Sequence, residues 1–267
     1  MKKLMIAASV ALCAAVGFGD IASENIVGYN TVNIHMQYTL LAVNFESVAG
    51  GEISIQDALP VVEGMTQGGD DSTADNIQIM NAAGGYDIYY LSNGKAGRNT
   101  YPETVGKWVS PSDKSVPTTA KIKAGTAFWY VSPAASSEKS YNITIAGQVL
   151  AKAFDTKDIT MSYTLVASPY PCAIPLNGGV EVESPTLSGD DSTADNLQIM
   201  NEDGGYDIYY LSNGKAGRNT YPETVGKWVS PADKSVPTAA TFPIGKSAWF
   251  VSQSGAGSIT FKNPIAK

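Results

Sequence analysis

Two short acidic stretches of the sequence have the composition of a metal-binding loop. Each begins with glycine and supplies carboxylate, hydroxyl and amide oxygens within seven residues; the candidate ligands are Asp70, Asp71 and Asp75, with Asp190, Asp191 and Asp195 at the matching positions. Calcium binds about six to eight such hard oxygens. The spacing is not that of an EF-hand, however, and the same residue types bond their own backbone in ordinary turns. A calcium site and a polar turn both stay open, and Ca²⁺ is the only cofactor suggested.

A second group of residues has the composition of a ligand-binding surface. It combines aromatic rings with arginine and asparagine around segment 92–104, which is long for a hairpin connection. Its members are Tyr89, Arg98, Asn99, Tyr101 and Trp108, matched by Tyr209, Arg218, Asn219, Tyr221 and Trp228. Such mixtures are typical of sugar- or peptide-binding surfaces. Because side chains alternate between the two faces of a strand, about half of these rings are expected to lie in the core and not on the surface. Trp129 and Trp249 lie in hydrophobic runs and are predicted to be core residues.

Residues for hydrolytic chemistry are scarce. The single histidine, His35, and the cysteine Cys172 have no counterparts in the other copy of the repeated unit. Nucleophilic catalysis needs a nucleophile paired with a base, and metal hydrolases generally use more imidazoles or thiolates. A carboxylate pair such as Asp87 with Glu103 leaves glycoside hydrolysis as a less favoured alternative. We therefore predict that the protein is not an enzyme.

Both candidate groups recur because the sequence contains one unit twice. Residues 84–111 and 204–231 are identical over 28 positions, and 51 of 64 positions match between 69–132 and 189–252. A constant offset of this size indicates two copies of one folding unit. The sequence predicts one β domain at 20–146 and a second at 147–267. Identity of the loops fits either a partner surface shared by both copies or a recent duplication.

Strand signals dominate each copy. The predicted strands of the first copy are 26–34, 38–45, 76–80, 86–91, 107–111, 126–132 and 141–149. They are rich in β-branched and aromatic residues and are separated by turn residues. Segment 54–60 predicts one helical turn capped by Ser54. The predicted fold is all-β, with two tandem homologous β-sandwich or barrel-like domains of about seven short strands each.

One segment at the junction matches both ends of the repeated unit. Residues 142–149 align with 258–265 as a closing strand, and their AGQV also aligns with the VGYN at 27–30. This predicts a single strand that closes the first domain and opens the second without a flexible linker. The C-terminal strand of one molecule would then pair with the N-terminal strand of the next, giving head-to-tail filaments.

The N-terminal residues 1–19 have the features of a secretory signal peptide. Lys2 and Lys3 precede a 13-residue apolar run that is too short to span a bilayer, and cleavage is expected before Asp20. The whole chain has a net charge of −7 at pH 7. An acidic product has no electrostatic reason to bind nucleic acid or an anionic membrane, and no membrane insertion is expected once the signal is removed. Cys172 then remains alone, so an intrachain disulfide is excluded.

The pattern GD…IQIMN…GYDIYY…KW…G…WYV…ITIAGQV resembles that of uncharacterised secreted β-repeat proteins from planctomycete- and verrucomicrobia-type bacteria. The resemblance covers both repeats, although the loop before Lys107 and Trp108 is longer here. It implies a surface or extracellular β protein of unassigned activity.

These features predict a secreted cell-surface or extracellular protein with a structural or adhesive role. Its predicted partners are further copies of itself, joined head to tail, or surface and matrix glycans. The alternative is a carbohydrate-binding protein, calcium-dependent if the acidic loops hold the ion.

Overall fold

The computed structural model describes residues 26–136 and 138–265. The predicted signal peptide at 1–19 lies outside these residues. Within them the protein is all-β, as the sequence predicts, and its helical elements are single turns.

Residues 26–149, called the first half here, contain six strands of five or more residues and five strands of two residues. Ser54 caps the helical turn by accepting a hydrogen bond from the Asp57 backbone N at 3.1 Å, as predicted. The elements are β1 (Val27–Ile34), β2 (Tyr38–Val43), β3 (Ile53–Ser54), α1 (Ile55–Ala58), β4 (Asn76–Met80), β5 (Tyr86–Leu91), β6 (Lys95–Ala96), β7 (Asn99–Thr100), a 3₁₀ turn (Pro102–Thr104), β8 (Trp108–Val109), β9 (Lys121–Ile122), β10 (Thr126–Val131) and β11 (Tyr141–Gln148).

Residues 150–265, the second half, repeat this series with one additional three-residue strand. The turn α2 is interrupted by non-helical backbone at Asn177 and Gly178. The elements are β12 (Phe154–Ile159), β13 (Tyr163–Ala167), β14 (Ile174–Pro175), α2 (Leu176–Gly179), β15 (Val180–Val182), β16 (Asn196–Met200), β17 (Tyr206–Leu211), β18 (Lys215–Ala216), β19 (Asn219–Thr220), a 3₁₀ turn (Pro222–Thr224), β20 (Trp228–Val229), β21 (Thr241–Phe242), β22 (Ser247–Val251) and β23 (Gly257–Lys262).

Each half forms a five-stranded antiparallel sheet with the same strand order. The order is β2-β10-β4-β5-β8 in the first half and β13-β22-β16-β17-β20 in the second. A second layer consists of β1 with β11 in the first half, and of β12, β23 and β15 in the second. The strand count exceeds the predicted seven because two-residue strands leave no alternation to recognise.

Each half also has a core of its own between these two layers. Val32 and Ile143 of the second layer pack with Phe128 of the sheet in the first half. The first core includes residues up to Val149, and the second core begins at Leu150. The division between the cores therefore lies three residues beyond the predicted boundary at 146/147, which falls inside β11.

The second half has an opening strand of its own, which corrects the prediction of a shared strand at 142–149. β12 pairs with the closing strand β23, as β1 pairs with β11. β12 is not recognisable from the sequence because three of its six residues, in FDTKDI, are charged and mask the alternation. The head-to-tail filament hypothesis loses the observation on which it depended.

The two halves contact each other through equivalent surfaces. A Cβ added to Gly204 would lie 3.5 Å from the sulfur of Met36, and one added to Gly84 would lie 3.4 Å from the sulfur of Met161. Met161 is the counterpart of Met36, and Gly204 that of Gly84. Reciprocal contacts of this kind indicate an approximate two-fold relation, the geometry of an isologous dimer. Small buried side chains line the contact: Ala42, Ala127 and Ala167.

Hydrogen bonds cross the same contact. The backbone N of Ala42 donates to the carbonyl of Gly245 at 2.9 Å, and the Asn44 amide donates to the carbonyl of Ser168 at 2.6 Å. The single histidine also lies here, with Nε2 of His35 3.2 Å from the carbonyl oxygen of Glu202. The histidine therefore belongs to the contact between the halves.

Candidate functional site

Trp108 and Trp228 are core residues, which corrects their predicted place on a ligand surface. They expose 0% and 2% of their surface. The indole N–H of Trp108 donates to the Leu59 carbonyl at 2.8 Å, and that of Trp228 donates to the Val180 carbonyl at 3.0 Å. The amide of Gln56 accepts from the Trp108 backbone N at 3.2 Å and donates to its carbonyl at 2.7 Å. The side chain of Gln56 thus pairs with Trp108 as a neighbouring strand would.

Trp129 and Trp249 are the half-buried tryptophans, so their predicted place in the core is also corrected. On β10 the neighbours Phe128 and Tyr130 enter the core, and alternation points Trp129 to the opposite face of the sheet. There the ring of Tyr38 meets Trp129 edge-on, with 6.3 Å between the ring centroids.

The predicted tyrosines are only partly exposed. Tyr89 and Tyr209 pack against the two cores. Burial raises the pKa of both phenols, and the nearby charges of Asp87 and Asp207 raise the pKa further. Tyr101 and its counterpart Tyr221 are half-buried, which leaves the arginine and the asparagine as the exposed members of each predicted group.

Arg98 lies at the tip of a small hairpin within the segment predicted to be a loop, and Asn99 follows it as the first residue of β7. β6 and β7 pair Lys95 with Thr100 and Ala96 with Asn99, so Gly97 and Arg98 form a two-residue turn. Gly97 has a φ of 62°, as a type II′ turn requires at its first central position. The same hairpin recurs with β18 and β19 in the second half. The Gly-Arg pair is the sequence signal for this turn. The two strands that it joins have only two residues each, so no alternation marks them as a hairpin.

The base of this hairpin is held by short-range hydrogen bonds. The hydroxyls of Ser92 and Thr104 are 3.0 Å apart, and Ser92 Oγ also accepts from the backbone N of Gly94 at 3.0 Å. Thr104 Oγ1 donates to the Tyr101 carbonyl at 2.9 Å. A Cβ added to Gly94 would lie 2.6 Å from Val105 Cγ2, so the base is closely packed. The tip is thus presented on a fixed support.

The two hairpin tips carry the only arginines in the sequence, Arg98 and Arg218. Both side chains are exposed, and neither forms an ion pair within residues 26–136 and 138–265. A guanidinium presents a planar fork of donors that matches carboxylate and phosphate oxygens. Each half therefore displays an unpaired cation with this geometry in an otherwise acidic chain.

The carboxylate of Asp70 bonds within its own loop. Its Oδ1 accepts from the backbone N and hydroxyl of Ser72 at 3.1 and 2.7 Å, and from the backbone N of Thr73 at 3.1 Å. These bonds, the Ser72 hydroxyl first, lower the pKa of Asp70. Asp190 accepts from Ser192 in the same way and lies 3.3 Å from Nζ of Lys234. The polar-turn alternative accounts for these contacts.

Asp75 and Asp195 are buried acceptors, which corrects their place among candidate metal ligands. The carboxylate of Asp75 accepts hydrogen bonds from three hydroxyls, those of Tyr130 at 2.9 Å, Ser132 at 2.7 Å and Tyr141. Asp195 accepts instead from two backbone N–H groups, of Gln253 at 2.7 Å and Thr186 at 2.9 Å.

Asp71 and Asp191 stay partly exposed at the loop surface. In the described part of the chain, no group of three or more His, Cys, Asp or Glu side chains is placed to hold a metal ion. Calcium binding by the acidic loops stays a prediction.

Of the two carboxylates considered for glycoside hydrolysis, Asp87 lines a cavity beside β5 and Glu103 does not line the same one. This cavity of about 530 Å³ is lined by Tyr86, Asp87, Ile88, Tyr89, Ser110, Pro111 and Ser112. Asp87 accepts from the Asn81 amide at 3.2 Å, whereas Glu103 is exposed on the 3₁₀ turn and does not line this cavity. A glycosidase needs two carboxylates flanking one site.

In the described part of the chain, the most exposed aromatic rings lie outside the predicted site. Tyr29 on β1 and Phe154 at the equivalent position of β12 expose 76% and 62% of their surface. The exposure of Tyr29 could have been predicted from the sequence. Alternation along β1 places Tyr29 on the opposite face from Val32 and Ile34, which enter the core.

Comparison of the chain with known protein families, curated proteins and solved structures found no match. The resemblance to secreted β-repeat proteins therefore stays a prediction. Among the described residues, no helix is long and apolar enough to cross a membrane.

Proposed function

We propose that the protein is an exported, non-enzymatic adhesion protein that contacts acidic surface or matrix glycans through its two arginine hairpins. Export follows from the predicted signal peptide at 1–19. The observation that carries the proposal is the pair of matching tips at Arg98 and Arg218, each exposed, unpaired among the described residues and fixed at its base.

The chemistry of the tips favours an anionic ligand. A guanidinium fork forms paired, charge-assisted hydrogen bonds to carboxylate or sulfate oxygens, and the neighbouring Asn99 amide adds a donor and an acceptor. The acidic chain repels a polyanion at long range, so a single tip binds weakly. A polysaccharide with many acidic groups can engage both tips, and the second contact is then strengthened by its high effective concentration.

Binding to an immobilised polyuronate, with neutral dextran as the reference, tests the proposal. We expect retention at low salt that decreases as salt is added, because exposed charge contacts are screened. Arg98→Gln or Arg218→Gln should weaken retention, and the double variant should abolish it. The double lysine variant, Arg98→Lys with Arg218→Lys, should give intermediate retention because it keeps the charge and loses the fork.

The matched control is Lys139→Gln, which removes an exposed cation away from the hairpins. It should be retained like the unchanged protein. Equal retention of the double glutamine variant and the unchanged protein, or no retention of the unchanged protein at low salt, would contradict the proposal.

A further inference from the structure

The outer face of the β1–β11 hairpin presents an aromatic ring that nothing covers among the described residues. Tyr29 lies opposite Ala146 across the two strands, and a methyl group is too small to shield the ring. Within residues 26–136 and 138–265 it is the most exposed of the large hydrophobic side chains. An exposed aromatic ring on a paired strand offers an apolar surface for stacking and a polar hydroxyl at one end.

Polar groups with free hydrogen-bonding capacity continue this face. The hydroxyls of Thr31 and Thr144 are 2.9 Å apart, and the Asn33 amide donates to Asn142 Oδ1 at 2.9 Å. Each hydroxyl has one hydrogen, so the accepting threonine keeps its own hydrogen for a ligand. The Asn33 carbonyl oxygen and the Asn142 amide hydrogens likewise remain available.

The face is uncharged and elongated. Neither VGYNTVNI in β1 nor YNITIAGQ in β11 contains a charged residue, in a chain that is 16% charged. From Tyr29 to Asn33 the strand rises about 13 Å, at about 3.3 Å per residue. This length suits a chain of sugar rings more than one ring. The absence of charge excludes the electrostatic attraction that an acidic or basic partner would use.

An aromatic ring and a pair of threonine hydroxyls recur at the equivalent positions of the second half, although the sequences of the surrounding strands differ. Phe154 replaces Tyr29, and the hydroxyls of Thr156 and Thr260 are 2.8 Å apart. Between β1 and β12 only this threonine and one core isoleucine are identical. A cavity of about 490 Å³ lies over this face and is lined by Phe154, Thr156, Thr260, Lys262 and Asn263, among others. Unlike the Tyr29 face, this second face carries charged residues: Asp158, and Glu181 in an ion pair with Lys262.

We infer that the Tyr29 face is a binding surface for an uncharged, extended polysaccharide, with the Phe154 face as a second, weaker site. The apolar face of a sugar ring stacks on Tyr29, and its hydroxyls bond to the free donors and acceptors of the threonine and asparagine pairs. This surface uses none of the arginine tips, and it adds a neutral ligand to the acidic one proposed above.

Calorimetry of the mature chain with neutral β-1,4-linked hexasaccharides of glucose, N-acetylglucosamine and mannose tests this inference. High salt screens any contribution from the arginines. We expect at least one of the three to bind. Tyr29→Ala should weaken that binding about tenfold, which corresponds to about 1.4 kcal/mol, because the stacking contact is lost. Phe154→Ala should have a smaller effect, and the double variant should not bind.

Thr144→Val tests the polar contact without disturbing the strand, since valine has the same shape and a high strand propensity. It should weaken binding about threefold. Tyr163→Ala is the matched control, because Tyr163 exposes 58% of its surface on β13, away from both faces. It should bind like the unchanged protein.

Three results would overturn the inference: no heat with any of the three sugars, unchanged binding by the Tyr29→Ala/Phe154→Ala double variant, or a concentration-dependent dimer that Tyr29→Ala abolishes. The last would assign the face to a second copy of the chain. Arg98→Gln with Arg218→Gln should leave neutral-sugar binding intact, so failure of one proposal is separable from failure of the other.

Discussion

At the scale of single residues, Trp108 joins three segments of the first half. Its indole bonds to Leu59, its backbone pairs with the amide of Gln56, and its carbonyl accepts from the backbone N of Thr118 at 2.8 Å. Its ring meets Tyr130 edge-on, with 6.5 Å between the centroids. A residue that is buried and bonded in this way contributes to stability and is not available to a ligand.

Trp108→Ala should therefore lower the free energy of unfolding by about 3–5 kcal/mol, because it leaves a large cavity and an unpaired Leu59 carbonyl. Urea unfolding followed by circular dichroism measures the change. Val105→Ala is the control, since Val105 exposes 52% of its surface and its truncation should cost about 0.5 kcal/mol or less. If Trp108→Ala lowered the free energy of unfolding no more than the control does, the assignment of Trp108 to the core would be contradicted.

Buried phenols give the protein a predictable response to alkali. Burial raises the pKa of Tyr170 and Tyr210 to about 12. Burial, followed by the charge of Asp75, raises the pKa of Tyr130 well above its ordinary value, and burial together with the bond to Asp75 raises the pKa of Tyr141. In the unfolded chain a tyrosine has a pKa of about 10.

A group whose pKa is higher in the folded state binds more protons when folded. Its contribution to stability is fully present below about pH 10 and is lost as the pH rises through the folded pKa. We expect the free energy of unfolding to fall steadily from about pH 10 to pH 12, measured by urea unfolding across this range. Tyr130→Phe, which copies Phe250 of the second half, should make that fall shallower. A flat profile above pH 10 would contradict this account.

At the scale of elements, the sequence predicts the position of a strand when the strand is long and one of its faces is buried. Alternation predicts β4 at 76–80 and β5 at 86–91 with the bounds that the structure has. It does not predict β12, in which the outward residues Thr156 and Asp158 and two of the three inward residues are polar. The pairing of Gln56 with Trp108 also lies beyond sequence reasoning, because the partners are 52 residues apart.

Alternation separates the two faces of a strand but does not say which face is covered. On β5, Tyr89 faces the core, and Tyr90 on the opposite face is covered as well. The acidic loop provides this cover, with Ala74 packed on Tyr90 and the Tyr90 hydroxyl donating to the Gly69 carbonyl at 3.2 Å. The loop that resembles a metal site in the sequence thus has a packing role. Tyr86, at the start of β5, is exposed to 37%, whereas Tyr29 and Phe154 expose 76% and 62% of their surface.

At the scale of the whole molecule, the reciprocal contacts make the chain a covalently linked pair of like modules. An isologous contact is closed, because each surface is already occupied by its counterpart. This geometry brings two arginine tips and two aromatic faces into one molecule without further assembly. Weak contacts at either kind of site can then combine on one long polysaccharide.

The same reciprocity predicts that the first half, residues 26–149, forms a homodimer when it is expressed alone. Each half has its own core, so each should fold. The surface around Ala42 that is covered in the full chain would be exposed, and it is complementary to a copy of itself by the approximate two-fold relation. Mixing the first half with residues 150–265 should give a one-to-one complex instead, because the native contacts to Gly245 and Ser168 are then restored.

Sedimentation velocity distinguishes these species, and circular dichroism checks that each half is folded. Ala42→Glu in the isolated first half is the control: it should leave that half folded but monomeric, because the carboxylate is exposed there and would be buried without a partner in the dimer. In the full chain the same substitution should destabilise the fold by several kcal/mol for the same reason. Two folded halves that remain separate at high micromolar concentration would show that the contact depends on the covalent connection between β11 and β12, and that the modules are not self-complementary.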